Sequence, residues 1–293
     1  MPHTKFIGVV LFDFMDSFKT DEDCKQYLSA IKWTNGYQCK KCGNANYCRG
    51  RSAFSRRCTK CKYDESPIAG TMFDKCKFPL LKAFHIAFKI STKKKGMSTL
   101  ELHREFGLRQ KTCWNFKNKL QQAMKSSFKY PLTGEVHVDE FFIGGPENNK
   151  RGRGAKKKRL VVVAVEKVTD GVGRAYAQVI ENASSKVLSS FFNSYIDTSS
   201  RVITDGWSGY KPLIKKYPQM IHVPSKNGEN FPDMHIHIMN LKGWLRGIHH
   251  HCSKKHLQGY LDEFHFRHNR RNNLETIFHK LIDRMVISSN QVI

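Results

Sequence analysis

The sequence predicts a mixed α/β protein that carries a small metal-binding domain on its N-terminal side. Two C-x-x-C pairs lie at residues 39–42 and 58–61, with the spacing of zinc ligands. Residues 77–127 place apolar side chains at helical intervals, and beyond Pro131 extended and helical patterns alternate. A chain of 293 residues is long enough for at least two regions, each with its own core.

The chain is strongly basic. Its 50 Lys and Arg residues outnumber 25 Asp and Glu residues, which gives a formal net charge of +25 and a pI near 9.8. Such an excess is typical of a surface that binds a polyanion. On charge alone, a basic ribosomal or membrane-surface protein is the alternative.

The sequence favours a protein of the cell interior. The only apolar run near the N-terminus, FIGVVLF, is too short to cross a bilayer and lacks a small-residue cleavage site. We therefore expect neither export nor a membrane anchor. Nine cysteines, four of them in a metal-type pattern, fit a reducing compartment better than a disulfide framework. These observations predict a cytoplasmic protein.

The predicted zinc ligands are Cys39, Cys42, Cys58 and Cys61. Two such knuckles can bring four thiolates into a tetrahedron around Zn²⁺, with a short hairpin formed by the Arg-rich stretch between them. Cys48 lies in that stretch and is a substitute ligand. Free thiols or a redox pair are the alternative, although a second C-x-x-C is hard to explain that way.

A helical segment follows the two knuckles. Ser98 and Glu101 form a capping box, which predicts a helix that starts there and ends at Gly107. A second helix is predicted from near Gln110, so the pair is a helix-turn-helix candidate. Its second helix carries polar side chains suited to phosphates and base edges: Lys111, Asn115, Lys117, Asn118 and Lys119. A plain helical hairpin that links two domains is the alternative.

The remaining half alternates strands and helices. The predicted strands are 135–143, 160–167, 173–181, 201–205 and 220–223, and the predicted helices are 183–196, 208–216 and a long one from about 234. This is the element order of the ribonuclease H fold. Asp139 lies on the first of these strands and Asp205 ends the fourth. Because the two strands are neighbours in that fold, the carboxylates can share Mg²⁺ ions, which prefer such oxygens.

Taken together, these motifs resemble a known family. The two knuckles are followed by SPIAGTMF, HVDEFFIGG, VITDGWSGY and finally NLKGWLRGIHHHCSKKHLQGYLDEFHFRHNRR. In this order they are similar to the zinc-ribbon, DDE-type transposases of bacterial insertion sequences (the ISXO2-like transposase family). The resemblance covers roughly residues 15 to 275.

The resemblance implies a function and a division of the chain. A transposase of this kind binds the terminal inverted repeats of its element, frees a 3′-OH by nicking and joins that end to target DNA. The implied regions are a zinc ribbon at 15–68, a helical DNA-binding segment at 77–130 and a ribonuclease H-like catalytic domain at 131–280. It also implies catalytic Mg²⁺ or Mn²⁺, structural Zn²⁺, a homo-oligomer assembled on double-stranded DNA and association with the nucleoid.

The third catalytic ligand departs from the simplest family pattern. The only acid that could open the last helix is Asp233, which the sequence places in a loop-like stretch beside Pro232. The family pattern, aligned through LKGWLRG, puts His235 where a glutamate would stand and Lys242 seven residues later. Seven residues return to the same helical face. Asn240 is the rival third ligand, although it is offset from Lys242 by about half a turn.

Glu140, His137 and the basic stretch 148–159 lie close to Asp139 in the sequence. Glu140 faces away from Asp139 on a strand and is left out of the site, whereas His137 shares the face of Asp139. The basic, Gly-rich stretch 148–159 is predicted to hold DNA by charge.

Since His and Asn bind Mg²⁺ more weakly than a carboxylate does, the site either favours Mn²⁺ or belongs to a decayed copy. Two other functions stay open: a DNA-binding regulator without catalysis, and a zinc-ribbon nuclease for branched DNA.

Overall fold

The computed structural model describes residues 5–144, 158–226, 229–249 and 252–287. The chain divides into two compact units. The N-terminal unit contains the residues before Lys125 together with those after Arg271, and the sheet unit is Lys125–Arg271. No helix in these ranges is both long and apolar enough to span a membrane.

The N-terminal unit begins with two helices and a small sheet. Helices α1 (Leu11–Ser17) and α2 (Asp21–Lys32) precede the antiparallel strands β1 (Tyr47–Arg49), β2 (Arg56–Cys58) and β3 (Asp64–Glu65). The side chain of Thr20 accepts a hydrogen bond from Asp23 N–H, and the Asp23 carboxylate accepts one from Thr20 N–H, which fixes the start of α2. Lys32 at its end forms a buried ion pair with Glu65, at 2.8 Å. The last residue of α2 is thereby joined to the last strand of the ribbon.

Four more helices complete this unit. They are α3 (Leu80–Thr92), α4 (Thr99–Phe106), α5 (Gln110–Met124) and the C-terminal α9 (Ile277–Ile287). Helix α9 packs on α3 and α5, and Phe278 at its start meets Phe14 and Phe84 in an aromatic core. Helix α4 starts at the predicted Ser98–Glu101 capping box and ends at Gly107, whose φ of 62° is left-handed.

The sheet unit has five strands and three α-helices in its described residues. The strands are β4 (Glu135–Ile143), β5 (Arg159–Val168), β6 (Gly171–Ile180), β7 (Arg201–Thr204) and β8 (Ile221–His222), and the helices are α6 (Ser185–Tyr195), α7 (Pro232–Ile248) and α8 (Lys254–His268). The strand order is β6-β5-β4-β7-β8, and β4 pairs antiparallel with β5 and parallel with β7. The predicted α/β class is confirmed.

Two apolar cores cover the two faces of this sheet. Val136 and Val138 of β4 pack with α6 in one core, whereas Phe141 packs with α7 and α8 in the other. Alternate residues of a strand point to opposite faces. Odd-numbered residues of β4, Asp139 among them, therefore lie on the α7 face, and even-numbered ones lie on the α6 face.

The structure corrects two details of the predicted helices. Residues Ser208–Lys215 form a 3₁₀ helix, and Pro212 inside it cannot donate the hydrogen bond that an α-helix requires. In α5, Lys117 is buried and donates to the carbonyl of Met97, and Lys119 donates to the carbonyl of Met72. Lys117 therefore stabilises the helical packing and is not available to phosphates, while Lys111 and Asn115 are exposed.

Candidate active site and zinc centre

The four predicted zinc ligands meet in one cluster. The sulfur atoms of Cys39, Cys42, Cys58 and Cys61 all lie within 4.8 Å of one another. The Sγ atoms of Cys39 and Cys61 are 3.5 Å apart, and those of Cys42 and Cys58 are 3.6 Å apart. Four thiolates at such separations match the donor set of a structural Zn²⁺ site. The ribbon is therefore a zinc-binding domain.

Local backbone geometry builds this cluster. Gly43 adopts a φ of 73°, and its N–H donates to the Cys39 carbonyl at 2.8 Å, which closes the turn after the first knuckle. Burial raises the pKa of Cys58, but hydrogen bonds from Cys61 N–H and the Asn44 amide outweigh it and lower that pKa to about 6. A lowered pKa favours the thiolate that binds metal. Cys48 is exposed and lies outside the cluster.

The two predicted carboxylates lie on neighbouring strands. Parallel pairing aligns Val138 with Thr204, so the next residues in that register are Asp139 and Asp205. Adjacent strands are about 4.8 Å apart, and both carboxylates fall at the carboxyl end of their strands' paired segment. Asp139 and Asp205 therefore share one edge of the sheet on its α7 face.

The electrostatic surroundings of Asp139 agree with this register. Burial raises the pKa of Asp139 to about 6, a hydrogen bond from Glu140 N–H opposes the rise, and the charge of Asp205 adds to it. His235 and Lys242 also act on this carboxyl group and lower its pKa. Asp205, His235 and Lys242 are thus titratable neighbours of Asp139.

Helix α7 supplies His235 and Lys242 but turns Asn240 away. His235 is partly buried, and its enclosed Nε2 atom has no hydrogen-bond partner in the part of the chain that the structure describes. The Lys242 ammonium lies 5.1 Å from the ring centre of Phe141, two residues beyond Asp139. Asn240 is exposed and sits about 160° around the helix from Lys242. The structure brings four of the five predicted catalytic residues together and leaves Asn240 outside.

The donor set fits a divalent metal ion. Asp139 and Asp205 offer carboxylate oxygens, and His235 offers an imidazole nitrogen. The His235 Nε2 atom is enclosed and has no hydrogen-bond partner among the described residues, and a bound ion would satisfy it. Mn²⁺ accepts a nitrogen donor among oxygen ligands more readily than Mg²⁺ does. Asp205 also accepts a hydrogen bond from Trp207 N–H at 3.0 Å through Oδ1, which orients its carboxylate. Asp205 can therefore accept this hydrogen bond through one oxygen and still offer the other to a metal ion.

Neighbouring acids have other contacts. Glu140 points to the α6 face, where it accepts a hydrogen bond from the Tyr210 hydroxyl at 2.6 Å. Asp233 lies in the first turn of α7, not in a loop, and its carboxylate pairs with Lys167. His137 is bonded to Glu135 at 3.0 Å. None of these three appears among the charges that act on Asp139 in the described residues.

The structure identifies two further basic residues near Lys242: Arg246, which the sequence did not indicate, and Lys158, which belongs to the predicted basic stretch. Arg246, one helical turn beyond Lys242, and Lys158 both act on the Lys242 charge and lower its pKa, after the larger effect of burial. The i,i+4 spacing on α7 could have identified Arg246. Lys158 and Arg159 are the described part of the basic stretch 148–159, whose residues 148–157 lie outside the described residues.

Comparisons with known families agree with this organisation. The profile of the ISXO2-like transposase domain matches residues 131–269, and that of the transposase zinc-ribbon domain matches residues 19–64. Together the two matches cover more than half of the chain. A search among curated proteins returned no match. A ribbon of four clustered cysteines, followed by a five-stranded sheet that pairs two carboxylates, identifies the chain as a zinc-ribbon transposase of the DDE type.

Proposed function

We propose that the sheet unit carries out metal-dependent DNA cleavage and strand transfer at the ends of an insertion sequence. The observation that carries this proposal is the meeting of Asp139 with Asp205, His235 and Lys242. These residues come from two neighbouring strands and one helix, and their donor atoms suit a divalent ion. A fold alone would not assign chemistry, so the proposal depends on this site.

Each residue has a distinct role in the proposal. Asp139, Asp205 and His235 would hold divalent metal ions, which would supply activation of the attacking oxygen and charge stabilisation at the leaving oxygen. Lys242 contacts a non-bridging phosphate oxygen of the scissile strand. Asp139 has to give up its proton before it can serve as a ligand, and Lys242 stabilises the resulting carboxylate.

The DNA partner is supported by charge. The formal net charge of +25 supplies the sequence-independent attraction to phosphates. We place the protein on double-stranded DNA, both the terminal repeats and the target, as a homo-oligomer associated with the nucleoid in the cytoplasm. The two ends of an element have to be held together, which requires more than one copy of the chain.

The direct test is strand transfer in vitro. A pre-nicked oligonucleotide carrying the terminal repeat is incubated with plasmid in Mg²⁺ and in Mn²⁺, and joined products are counted. We expect joining by the wild type, more in Mn²⁺ than in Mg²⁺. Asp139→Asn and Asp205→Asn should each lower it by about a thousandfold, because several kcal/mol of charge stabilisation are lost.

Glu140→Gln is the matched control, since this neighbour points to the opposite face. It should join DNA at nearly the wild-type rate. Normal DNA binding without joining in either metal would contradict the proposal and favour a DNA-binding regulator, an alternative raised by the missing third acid. Preferential cleavage of branched junctions without joining would instead favour the nuclease.

A further inference from the structure

A cleft beside the catalytic carboxylates has no role in the chemistry above. It has a volume of about 630 Å³ and opens at the sheet edge where β4 ends and β5 begins. Its aromatic walls are Phe142 and Trp207, and its basic residues are Lys158, Arg159 and Lys254. Small-ligand sites span about 300–1,000 Å³, so the cleft is large enough for one nucleotide and too small for a duplex.

Two interactions link residues of the cleft lining to active-site residues. Trp207, in its wall, donates its backbone N–H to Asp205 at 3.0 Å. Lys158, in the opposite part of the lining, is close enough to Lys242 for their charges to interact. A DNA strand whose phosphate lies between Asp139, Asp205 and Lys242 therefore meets this cleft with its next nucleotide.

The indole ring of Trp207 is held in place by local structure. Its Nε1 donates to the carbonyl of Ala183 at 2.8 Å. A Cβ atom at Gly209 would lie only 2.6 Å from this Nε1 atom, so the Gly209 of GWSGY permits the ring position. A fixed, partly exposed aromatic face is the kind of surface on which an unpaired base stacks.

Charge favours a nucleic-acid strand over an uncharged ligand. Three cationic side chains line the cleft, against one carboxylate, that of Glu181. Lys254 and Glu181 are both exposed. The cations suit phosphates on either side of the stacked base, whereas Glu181 and Asn182 offer hydrogen-bonding groups to a base edge.

We propose that this cleft binds an unpaired nucleotide of DNA next to the scissile phosphate, with its base stacked on Trp207 and its phosphates held by Lys158, Arg159 and Lys254. The inference rests on the proposed function, because it assumes that a DNA strand passes the carboxylate pair. It adds a site for a base that has left the duplex. Enzymes that act on DNA often hold such extruded bases between aromatic or apolar side chains.

The test uses a mixed-sequence single-stranded oligonucleotide with a central 5-bromodeoxyuridine, in buffer without divalent ions. Ultraviolet crosslinking followed by mass spectrometry of the peptides should place the adduct on Trp207. Fluorescence anisotropy with the same strand should show about tenfold weaker binding for Trp207→Ala and a smaller loss for Trp207→Phe, which keeps an aromatic face. Binding of the matching duplex should change much less.

Lys254→Gln and Lys255→Gln form a charge-matched pair, because both lysines are exposed but only Lys254 lines the cleft. Lys254→Gln should lower the slope of log affinity against log salt by about 0.7, and Lys255→Gln should leave it unchanged. Crosslinks confined to other peptides, or wild-type single-strand affinity in a folded Trp207→Ala protein, would overturn the inference. These binding and crosslinking measurements need no metal. The cleft can therefore fail its test while Asp139-dependent strand transfer is observed, and strand transfer can fail while the cleft binds single-stranded DNA.

Discussion

The zinc ribbon and the edge of the five-stranded sheet both gather side chains of types that can bind metal, but they do so by different means. All four ribbon ligands lie between Cys39 and Cys61, within two short turns and one hairpin. The sheet edge collects Asp139, Asp205 and His235 from three elements spread over the sheet unit. The ribbon is a uniform sulfur site, whereas the sheet edge combines oxygen and nitrogen donors and includes the half-buried carboxyl group of Asp139.

This difference matches two uses of metal. Four thiolates fill the coordination shell, so the ribbon metal has no place for substrate and serves the fold. At the edge, the raised pKa of Asp139 shows that the protein without metal holds this carboxylate at an energetic cost. A ligand set that is unfavourable until metal and substrate arrive is typical of a functional site.

Loss of one ribbon thiolate should have the largest effect. Cys58→Ser removes a buried ligand, and because structural Zn²⁺ contributes about 10–16 kcal/mol of apparent binding free energy in zinc-finger peptides, the ribbon should unfold. Metal analysis should then find no ribbon zinc, and circular dichroism should show the loss of structure. Cys48→Ser is the control, since Cys48 is exposed and outside the cluster. Full zinc retention in Cys58→Ser would contradict the role of this cysteine as a ligand of a structural zinc ion.

Lys242→Gln should act on catalysis alone. Removal of a charged hydrogen bond to phosphate costs about 2 kcal/mol, so strand transfer should fall about thirtyfold while zinc content and Mn²⁺ affinity stay close to those of the wild type. Asn240→Ala, on the exposed side of the same helix, should join DNA normally. A larger loss in Asn240→Ala than in Lys242→Gln would reverse the assignment of the α7 face.

The smallest predicted effect is a gain in stability. The folded-state pKa of Asp139, about 6, lies above its ordinary value of 3.8, so its contribution favours folding at low pH and is lost as the pH rises through 6. In zinc-loaded protein without other divalent ions, Asp139→Asn should therefore raise the free energy of unfolding at pH 8 by about 2 kcal/mol. At pH 4 the difference should nearly vanish. Urea titrations at both pH values measure it, and destabilisation at pH 8 would contradict the account.

Local signals predicted much of this molecule. The Ser98–Glu101 capping box and Gly107 bound α4 as expected, because capping depends on residues within one turn. Strand β4 has its predicted bounds, because its run of valines and aromatic residues is typical of a strand. The four cysteines were equally predictable from their spacing. Each of these features depends on neighbours in the sequence.

Features that depend on distant packing were not predictable. From the helical pattern alone, Lys117 is predicted to contact phosphate. In the structure its ammonium group is buried and donates to the Met97 carbonyl. The cleft lined by Phe142, Trp207 and Lys254 exists because strand ends and a helix start meet at one sheet edge. The choice between His235 and Asn240 was open in the sequence. The packing of α7 supports His235, because it turns Asn240 to solvent.

The most direct measurement of the central claim is pulsed electron paramagnetic resonance of Mn²⁺ bound to the zinc-loaded full chain. We expect a nitrogen coupling from the His235 imidazole in the wild type. That coupling should disappear in His235→Gln and persist in Asn240→Ala, and Asp139→Asn should weaken Mn²⁺ binding itself. A wild-type spectrum without nitrogen coupling, or a coupling that survives in His235→Gln, would contradict a metal site formed by Asp139, Asp205 and His235.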